Sequence, residues 1–317
     1  MPVYNAVKTL QRSLDSIAAQ SFRDFEVIFV DDCSTDDTPS LLRHFAEESG
    51  ICCKMLRQPA NAGVAAARNR GLDAAGGEYL AWVDADDMIA PDALEKALAA
   101  GGDADIIGWD WKLDLEENAR YMRQADYDTP LEAMKALMGG TMRWNLWLFL
   151  TKRSLWTENN IRFIDGADMG EDMMVMLKAF SVAGSVEQIH ELLYSYDASD
   201  ASSVSRRFDE RRRREVTVNV TEVEKMVTEC RYADELKPYI DHLKLYVKLP
   251  LIVSEDKDSY KIWYGWFPEA NGAAMENKAL PFRTRLLQWM ASKRLWWGVM
   301  AYNVLVYKII YGIVYNR

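Results

Sequence analysis

Apolar residues follow two alternating patterns over the first 110 residues of the chain. Apolar positions at helical spacing predict amphipathic helices over 6–20, about 38–48 and about 64–75. Short continuous apolar runs predict buried strands at 26–30, near 52–57 and at 78–83. Because strands that alternate with helices form a parallel, doubly wound sheet, this region is predicted to have an α/β fold.

The remainder of the chain has a mostly helical pattern. Between about 130 and 250, one strand is predicted near 186–196. A stretch that contains Gly, Asn and Pro predicts a linker, and an apolar, aromatic and basic segment follows it. We therefore divide the chain into an α/β domain over 1–205, a helical extension over 206–267, the linker over 268–281 and a tail over 282–317.

The composition narrows the class of function. A net charge of −10 argues against nucleic acid as the main partner, because phosphate binding favours a basic surface. Four cysteines without metal-ligand spacing and three scattered histidines argue against a zinc site and indicate reduced thiols in a cytosolic protein. The N-terminal residues lack the apolar core of a signal peptide, so a cytoplasmic location is expected. These features do not define an oligomeric state.

An acidic cluster, Asp84-Ala85-Asp86-Asp87, directly follows the strand predicted at 78–83. Carboxylates two residues apart can converge on one hard cation, and Mg²⁺ or Mn²⁺ there would bridge the phosphates of a nucleotide. The alternative is a polar turn that caps the helix starting near Pro91, since Asp is common in both roles.

A second acidic cluster begins at Asp31 and Asp32, after the strand predicted at 26–30. A carboxylate here could accept the N3–H of a uracil ring. The alternative is a helix N-cap formed by Ser34 or Asp36, and both roles are compatible. Ligands of doubly wound sheets bind at the carboxyl ends of strands, where both clusters lie.

Two further motifs contain charged residues on predicted helices. Asn61 and Gly63 suit a tight loop that enters a helix, on which Arg68 could face a phosphate; the alternative is a surface arginine. Glu171 and Asp172 begin another helix, whose dipole favours an ionised carboxylate. Such a carboxylate could act as a general base, although the dipole would favour it whatever its function.

In this order, the segments PVYN, SLDSIAAQSFRDFEVIFVDDCSTDDT, NAGVAAARNRGLDAAGGEYLAWVDADD and DMGEDMMVMLKAF resemble the family 2 glycosyltransferases. The resemblance is close over 2–100 and looser to about residue 206. It implies a GT-A fold, which is Rossmann-like with a mostly parallel sheet flanked by helices, and here a helical C-terminal extension. It also implies an inverting single displacement from a nucleotide sugar, usually UDP-linked.

The resemblance implies roles for individual residues. Asp172 would be the catalytic base, with Glu171 on the acceptor side. Asp84 and Asp86 would serve the metal, Mg²⁺ or Mn²⁺, and the ribose or diphosphate, with Asp87 as an additional metal ligand. Asp32 or its neighbour Asp31 would hold the base of the nucleotide. The full predicted set for the nucleotide sugar is Pro2, Tyr4, Asn5, Asp31, Asp32, Arg68, Asp84, Ala85, Ser203 and Arg206.

The sequence departs from the family pattern in two ways. The chain opens on the PVYN loop with almost no strand before it, so we expect the first strand to be clipped. The QxxRW element of processive members is absent after Asp172, which favours an enzyme that adds one sugar.

The predicted function is therefore transfer of one sugar from a UDP-sugar to a hydroxyl of a saccharide acceptor. The acceptor is expected to be lipid-linked, in the synthesis of a surface polysaccharide. Two alternatives are a nucleotidyltransferase, which would release pyrophosphate, and a catalytically inactive nucleotide-binding module.

Two basic segments could contact the acceptor or the membrane. The run over 206–216 holds six arginines within nine residues and predicts either a solvated helix face or contact with the diphosphate of a lipid-linked acceptor. The tail over 295–315 is long enough to span a bilayer, but it contains Asn303 and Lys308, and a mid-span lysine costs about 3 kcal/mol.

We therefore favour a tail helix that lies on the cytoplasmic face of the plasma membrane. In this arrangement anionic headgroups would meet Arg283, Arg285, Lys293 and Arg294. The alternative is a helical hairpin packed on the protein or on another subunit.

Overall fold

A computed structural model describes residues 1–115, 118–198, 209–254 and 256–306. The chain forms two compact units, one made of 1–133 and 143–226, the other of 134–142 and 227–317. The predicted boundary at residue 206 is therefore wrong. Residues 210–226 of the helix Glu210–Glu229 belong to the first unit, and they bury Val216, Val220 and Val223.

The first unit begins with a parallel sheet of three strands, in the order β1–β2–β3. The strands are β1 (Pro2–Val3), β2 (Glu26–Asp31) and β3 (Cys52–Arg57). The helices between and after them are α1 (Leu10–Ala18), α2 (Thr38–Glu48) and α3 (Val64–Ala74). The shared core contains Leu10, Leu14, Phe29, Leu42 and Phe45. The strands and helices predicted for this part of the chain are confirmed, with small shifts of their ends.

A second, six-stranded sheet completes the first unit. Its strands are β4 (Tyr79–Ala81), β5 (Met88–Ile89), β6 (Ile106–Asp114), β7 (Ala119–Met122), β8 (Phe149–Lys152) and β9 (Val186–Asp197). The order is β4–β8–β6–β9–β5, with β7 on β6. β6 and β9 run parallel, whereas β4–β8, β8–β6, β6–β7 and β5–β9 run antiparallel. The prediction of a mostly parallel sheet is wrong here, because hydrophobic periodicity locates a strand but does not fix its neighbour or direction.

Five further α-helices of the described residues lie between residues 93 and 229. They are α4 (Ala93–Gly101), α5 (Pro130–Gly139), α6 (Arg153–Glu158), α7 (Glu171–Val182) and α8 (Glu210–Glu229). Of these, α4 packs on β6 and β9, and α6 packs on β8. A 3-10 helix, Leu146–Leu148, precedes β8. The side chains of α7 from Met173 to Leu177 are all buried, so this helix runs through the core. Its N-terminal residues, Glu171 and Asp172, are thereby held in the interior.

The second unit is helical. It contains α9 (Ala233–Leu236), α10 (Tyr239–Val247), α11 (Leu249–Ile252), α12 (Lys257–Gly265), a 3-10 helix (Pro268–Met275), α13 (Phe282–Ser292) and α14 (Trp296–Asn303). The linker predicted at 268–281 is therefore wrong over most of its length. The 3-10 helix buries Ala270, Ala273 and Ala274, whose small side chains allow close packing.

The described part of the tail packs within the second unit. Leu287, Gln288, Ala291 and Val299 are buried. Asn303, which would oppose membrane insertion, donates its amide to the carbonyls of Ile252 and Ser254 and to the Tyr260 hydroxyl, at 2.8–3.1 Å. In the described ranges no helix combines the length and apolar character needed to cross a bilayer. The packed alternative thus holds for this part of the tail, while residues 307–317 lie outside the described residues.

Candidate active site

A cavity of about 660 Å³ lies at the carboxyl ends of β1 and β2. Its lining contains most residues that the sequence assigned to the nucleotide sugar and the metal: Pro2, Tyr4, Asn5, Asp32, Arg68, Asp84, Ala85 and Asp86. Its other polar lining residues include Lys8, Thr9, Asn61, Asp168, Arg211 and Arg212. Ser203 and Arg206, also assigned to the nucleotide sugar, lie outside the described residues. The candidate site therefore belongs to the first unit.

Arg68 joins three carboxylates from distant parts of the chain. Its guanidinium donates from Nη1 to Glu171 Oε1 and Asp172 Oδ1, both at 2.7 Å, and its Nη2 lies 3.4 Å from Asp84 Oδ1. The Arg68 side chain is only 5% exposed, so the surface-arginine alternative is wrong. Burial alone would lower the pKa of Arg68, but the carboxylates outweigh burial and raise it above its ordinary value.

Asp172 is fixed on both sides at the start of α7. Oδ1 accepts from Arg68, and Oδ2 accepts the backbone N–H of Leu146 at 3.2 Å. The side chain is 13% exposed and lies against Arg68 rather than in the cavity lining. Burial raises the pKa of Asp172, and the nearby Arg68 charge opposes this rise. Glu171 is also buried, and burial raises its pKa well above the ordinary value.

Asp84 and Asp86 both face the cavity. Asp86 is open to the cleft, but the surrounding protein replaces much of its bulk water. This desolvation, together with the Asp84 charge, raises the pKa of Asp86 to about 6. The two neighbouring carboxylates therefore repel each other, and a cation between them would remove that repulsion.

Asp87 does not fit the role of an additional metal ligand. Its carboxylate is fully buried; Oδ2 accepts from the Tyr194 hydroxyl and Oδ1 from the backbone N–H of Asp197, both at 2.9 Å. Burial, with the charges of Asp84 and Asp86, raises the pKa of Asp87 to about 9. Adjacent residues of the turn point in different directions, so Asp87 fastens the turn to β9 while Asp84 and Asp86 face the cavity.

The donor set at this turn fits a hard divalent cation that is completed by substrate oxygens. In the described part of the chain, no cluster of three or more His, Cys, Asp or Glu side chains forms a metal site by itself. Mg²⁺ typically binds one or two carboxylates together with substrate phosphates, and Asp84 and Asp86 supply two. The residues therefore fit Mg²⁺ or Mn²⁺ that enters with a nucleotide diphosphate.

Asp32, rather than Asp31, lies on the cavity. The Asp32 carboxylate accepts the backbone N–H groups of Ala62 and Gly63, both at 2.9 Å, and each oxygen keeps capacity for a further donor. Asp31 is buried; it accepts the N–H of Ser34 and pairs with Arg57 at 3.2 Å. Asp31 therefore does not fit the predicted contact with the nucleotide base.

The segment after Asp32 holds the first loop of the chain. Ser34 Oγ accepts the N–H of Asn5 at 2.9 Å, Thr38 Oγ1 accepts that of Ala6 at 2.8 Å, and Asp36 Oδ2 accepts that of Val7 at 3.3 Å. Asp36 Oδ1 also accepts the N–H of Thr38 at the start of α2. The N-cap residue of α2 is Asp37, so neither Ser34 nor Asp36 is the predicted N-cap. Asp36 holds the start of the helix from one residue before the cap, and Ser34 holds the loop.

Arg12 and Tyr194 position the site from a distance and were not predicted from the sequence. Arg12 of α1 donates to the Asp86 carbonyl at 2.7 Å and pairs with Asp197. Tyr194 accepts the N–H of Asp84 at 3.2 Å while it donates to Asp87. A lone arginine and a strand tyrosine carry no motif, and their partners lie far away in the chain, so no local pattern reports them.

The arginine run is both an exposed helix face and part of the cavity rim. Arg211 is 76% exposed, donates to Glu215 at 2.7 Å and lies 3.9 Å from Asp168. Arg212 also lines the cavity. The exposure of Arg211 fits the predicted solvated helix face, while contact with an acceptor diphosphate stays a prediction.

The first unit has the GT-A fold, so the predicted fold class is confirmed. The structure of S. aureus TarS 1–349 in complex with UDP-GlcNAc is similar with a TM-score of 0.71 and 20% identity. The similarity covers 96% of this chain and 89% of that one. At this identity the likeness shows the fold.

The family follows from the sequence comparison. The family model described as Glycosyl transferase family 2 matches residues 1–170, so the chain belongs to that family. It is 31% identical over 212 residues to the putative glycosyltransferase EpsH of Bacillus subtilis, and 28% identical over 217 residues to the succinoglycan biosynthesis protein ExoO of Rhizobium meliloti. Each match covers 64% of this chain, and the chain spans 61% of the length of each relative.

Proposed function

We propose that this protein is an inverting glycosyltransferase that moves one sugar from a UDP-sugar to a hydroxyl of a saccharide acceptor. The observation that carries the proposal is the Arg68 guanidinium, which contacts Asp172 at 2.7 Å and lies 3.4 Å from Asp84. One side chain thus links the carboxylate suited to proton removal with the carboxylate on the diphosphate side of the cavity.

The proposed reaction is a single displacement. Asp172 accepts the proton of the acceptor hydroxyl while that oxygen bonds to the anomeric carbon of the donor. The bond from the anomeric carbon to the β-phosphate oxygen breaks, and UDP leaves with the electron pair. The Leu146 N–H and Arg68 orient the two oxygens of Asp172. Glu171, which also contacts Arg68, lies next to the base on the proposed acceptor side.

Asp84 and Asp86 would hold Mg²⁺ or Mn²⁺. When bound, the ion neutralises charge on the leaving diphosphate. Ala85, between them in the cavity lining, leaves room for the nucleotide.

The donor nucleotide is proposed to be UDP. Asp32 faces the cavity and has an oxygen lone pair available for the N3–H of uracil, a donor that cytosine lacks. Pro2, Tyr4 and Asn5 line the same cavity, and the TarS complex with UDP-GlcNAc supports this donor class. Ser203 and Arg206 remain predicted diphosphate contacts.

The acceptor is proposed to be a lipid-linked saccharide in polysaccharide synthesis. Relatedness to ExoO, a succinoglycan biosynthesis protein, supports this class of pathway. Arg211 and Arg212 on the cavity rim are suited to the diphosphate of such an acceptor.

The test is a screen of UDP-sugars with Mn²⁺, in which UDP release and glycoside formation are both measured. We expect UDP and no pyrophosphate, whereas pyrophosphate would identify a nucleotidyltransferase. Asp172→Asn should abolish transfer and leave UDP binding intact. Near-wild-type turnover of this variant would remove Asp172 as the base. UDP binding without any transfer in the wild type would favour the catalytically inactive nucleotide-binding module.

We also propose that the tail contacts the inner face of the plasma membrane. From Asn277 to the C-terminus the sequence contains seven Lys and Arg and no Asp or Glu, in a chain of net charge −10. On the described helices, Phe282 is 60% and Trp297 is 75% exposed, while Leu287 and Val299 are buried. Packing within the second unit and contact with anionic lipid therefore use different faces of α13 and α14.

Flotation with phosphatidylserine-containing and pure phosphatidylcholine vesicles tests this contact. The wild type should float with anionic vesicles, and Phe282→Ser combined with Trp297→Ser should reduce flotation. Tyr121→Ser is the matched control, because Tyr121 is 73% exposed in the first unit. Equal recovery of all proteins in the soluble fraction would exclude the membrane contact.

A further inference from the structure

The start of α3 is held by carboxylates from two other parts of the chain. Asp32 accepts the N–H groups of Ala62 and Gly63, and Asp168 Oδ1 accepts that of Ala65 at 2.9 Å. The first N–H groups of a helix lack partners within it, so these contacts determine where α3 begins. Because α3 carries Arg68, they also determine where the guanidinium lies.

Asp168 is packed directly against the loop before α3. Gly63 has a φ of +92°, and a Cβ at this position would lie 2.2 Å from Asp168 Oδ2. The backbone of Gly63 thus approaches the carboxylate more closely than any residue with a side chain could. Asp168 and the loop therefore cannot shift independently.

The backbone around Asp168 is itself fixed. The buried Asn219 of α8 donates its amide to the carbonyls of Ala167 and Met169, at 3.1 and 3.0 Å, on both sides of Asp168. Three residues further on, Glu171 and Asp172 begin α7 and contact Arg68. The segment 167–172 thus holds both the start of α3 and the carboxylates that Arg68 must meet.

We propose that Asp168 is a positioning residue that sets Arg68 of α3 against Asp172 and Asp84. This inference rests on the proposed glycosyl transfer. Asp168 acts through its hydrogen bond to the Ala65 N–H, because its distance of 3.9 Å from the exposed Arg211 makes the charge a minor contribution.

Three variants separate this role from its alternatives. Asp168→Ala removes the acceptor of the Ala65 N–H, whereas Asp168→Asn removes the charge and keeps an accepting oxygen. Asp165→Asn is the matched control: Asp165 lies on the same segment and also accepts from α3, through the Asn69 amide at 3.1 Å, but on the exposed side.

The measurements are kcat and KM for the donor, and amide hydrogen exchange over 61–68. A displacement of about 1 Å can cost about 100-fold in rate, so Asp168→Ala should lower kcat by about 10- to 100-fold and change KM by less than about threefold. It should also speed exchange of the Ala65 amide. Asp168→Asn should recover most of kcat and protection, and Asp165→Asn should match the wild type.

Unchanged kcat in Asp168→Ala, or equal loss in Asp168→Ala and Asp168→Asn, would overturn the inference. Equal loss in the Asp165→Asn control would also overturn it, because any change in the segment would then suffice. If the wild type transfers no sugar, the proposed function fails. The hydrogen exchange then still decides the positioning role, since unchanged protection of Ala65 in Asp168→Ala would reject it.

Discussion

Arg68 Nη1 lies 2.7 Å from Asp172 Oδ1, so the proposed base is paired with a buried cation before any substrate is bound. The same nitrogen contacts Glu171 at 2.7 Å, and the guanidinium carries one positive charge against three carboxylates. The planar guanidinium can serve several acceptors at once, which a lysine ammonium cannot do in the same geometry.

Replacing Arg68 should therefore cost both stability and activity. Arg68→Met leaves buried carboxylates without a counter-charge, and breaking a buried ion pair costs about 3–5 kcal/mol. Urea unfolding of the first unit should show this loss. Arg68→Met combined with Asp172→Asn should recover part of it, because one uncompensated charge is removed. A double variant no more stable than Arg68→Met would contradict this account.

The pH dependence of turnover tests the role of Asp172. A base must be ionised, and burial raises the pKa of Asp172 above its ordinary value, even though Arg68 opposes the rise. At saturating donor and Mn²⁺, kcat should therefore fall with decreasing pH through a pKa above about 3.9, the value of a free aspartate. A kcat that stays constant down to about pH 4 would argue against a buried aspartate as the base.

The sequence pattern predicts local elements well because each is defined by its own residues. The helix α2 (Thr38–Glu48) and the strand β3 (Cys52–Arg57) match their predicted bounds. The sequence does not predict the directions of β8 and β9 relative to their neighbours in the second sheet, because these strands pair with segments far away in the chain.

The candidate site could be predicted only where the order of the motifs matched that of a known family, because the sequence gives no distances between remote residues. Arg68 and Asp172 are 104 residues apart, and the resemblance to a family, not spacing, assigned them to one site. Asp168 accepts a backbone N–H 103 residues away and was not predicted. A carboxylate from any part of the chain can accept the free N–H groups of a helix N-terminus, so sequence spacing gives no signal for it. The assignment of Asp87 to the metal failed because the direction of its side chain is fixed by Tyr194. This tyrosine lies on a later strand, so the DADD motif does not report it.

Binding of UDP with Mn²⁺ should depend on Asp86 and on pH. The pKa of Asp86 is raised to about 6 by loss of bulk water and by Asp84, so the ligand becomes protonated as the pH falls below that value. Calorimetry should show weaker Mn²⁺-dependent UDP binding at pH 5 than at pH 7. Asp86→Ala should remove most of the dependence of UDP binding on Mn²⁺ at both pH 5 and pH 7. Asp37→Ala, at an exposed aspartate outside the cavity lining, should leave this dependence unchanged. Equal UDP affinity with and without Mn²⁺ in the wild type would reject the metal site.

Lys248 should be a main determinant of stability in the second unit. Its ammonium is fully buried and donates to the carbonyls of Trp266 and Phe267 and to Asn271 Oδ1, at 2.6–3.1 Å. Lys248→Met leaves these acceptors without their donor, at a cost of about 1–3 kcal/mol, which the midpoint of urea unfolding should report. Lys257→Met, at an exposed lysine of α12, is the control and should change little.

The pH dependence of that midpoint provides a second test. Burial lowers the pKa of Lys248 to about 7, against about 10.4 for an unfolded lysine. Between these values the unfolded chain binds more protons than the folded unit, so the contribution of Lys248 to the free energy of unfolding rises with pH. The difference between wild type and Lys248→Met should therefore grow from pH 7 to pH 10. A difference that shrinks over this range would mean that the charged ammonium is the favoured form in the folded unit.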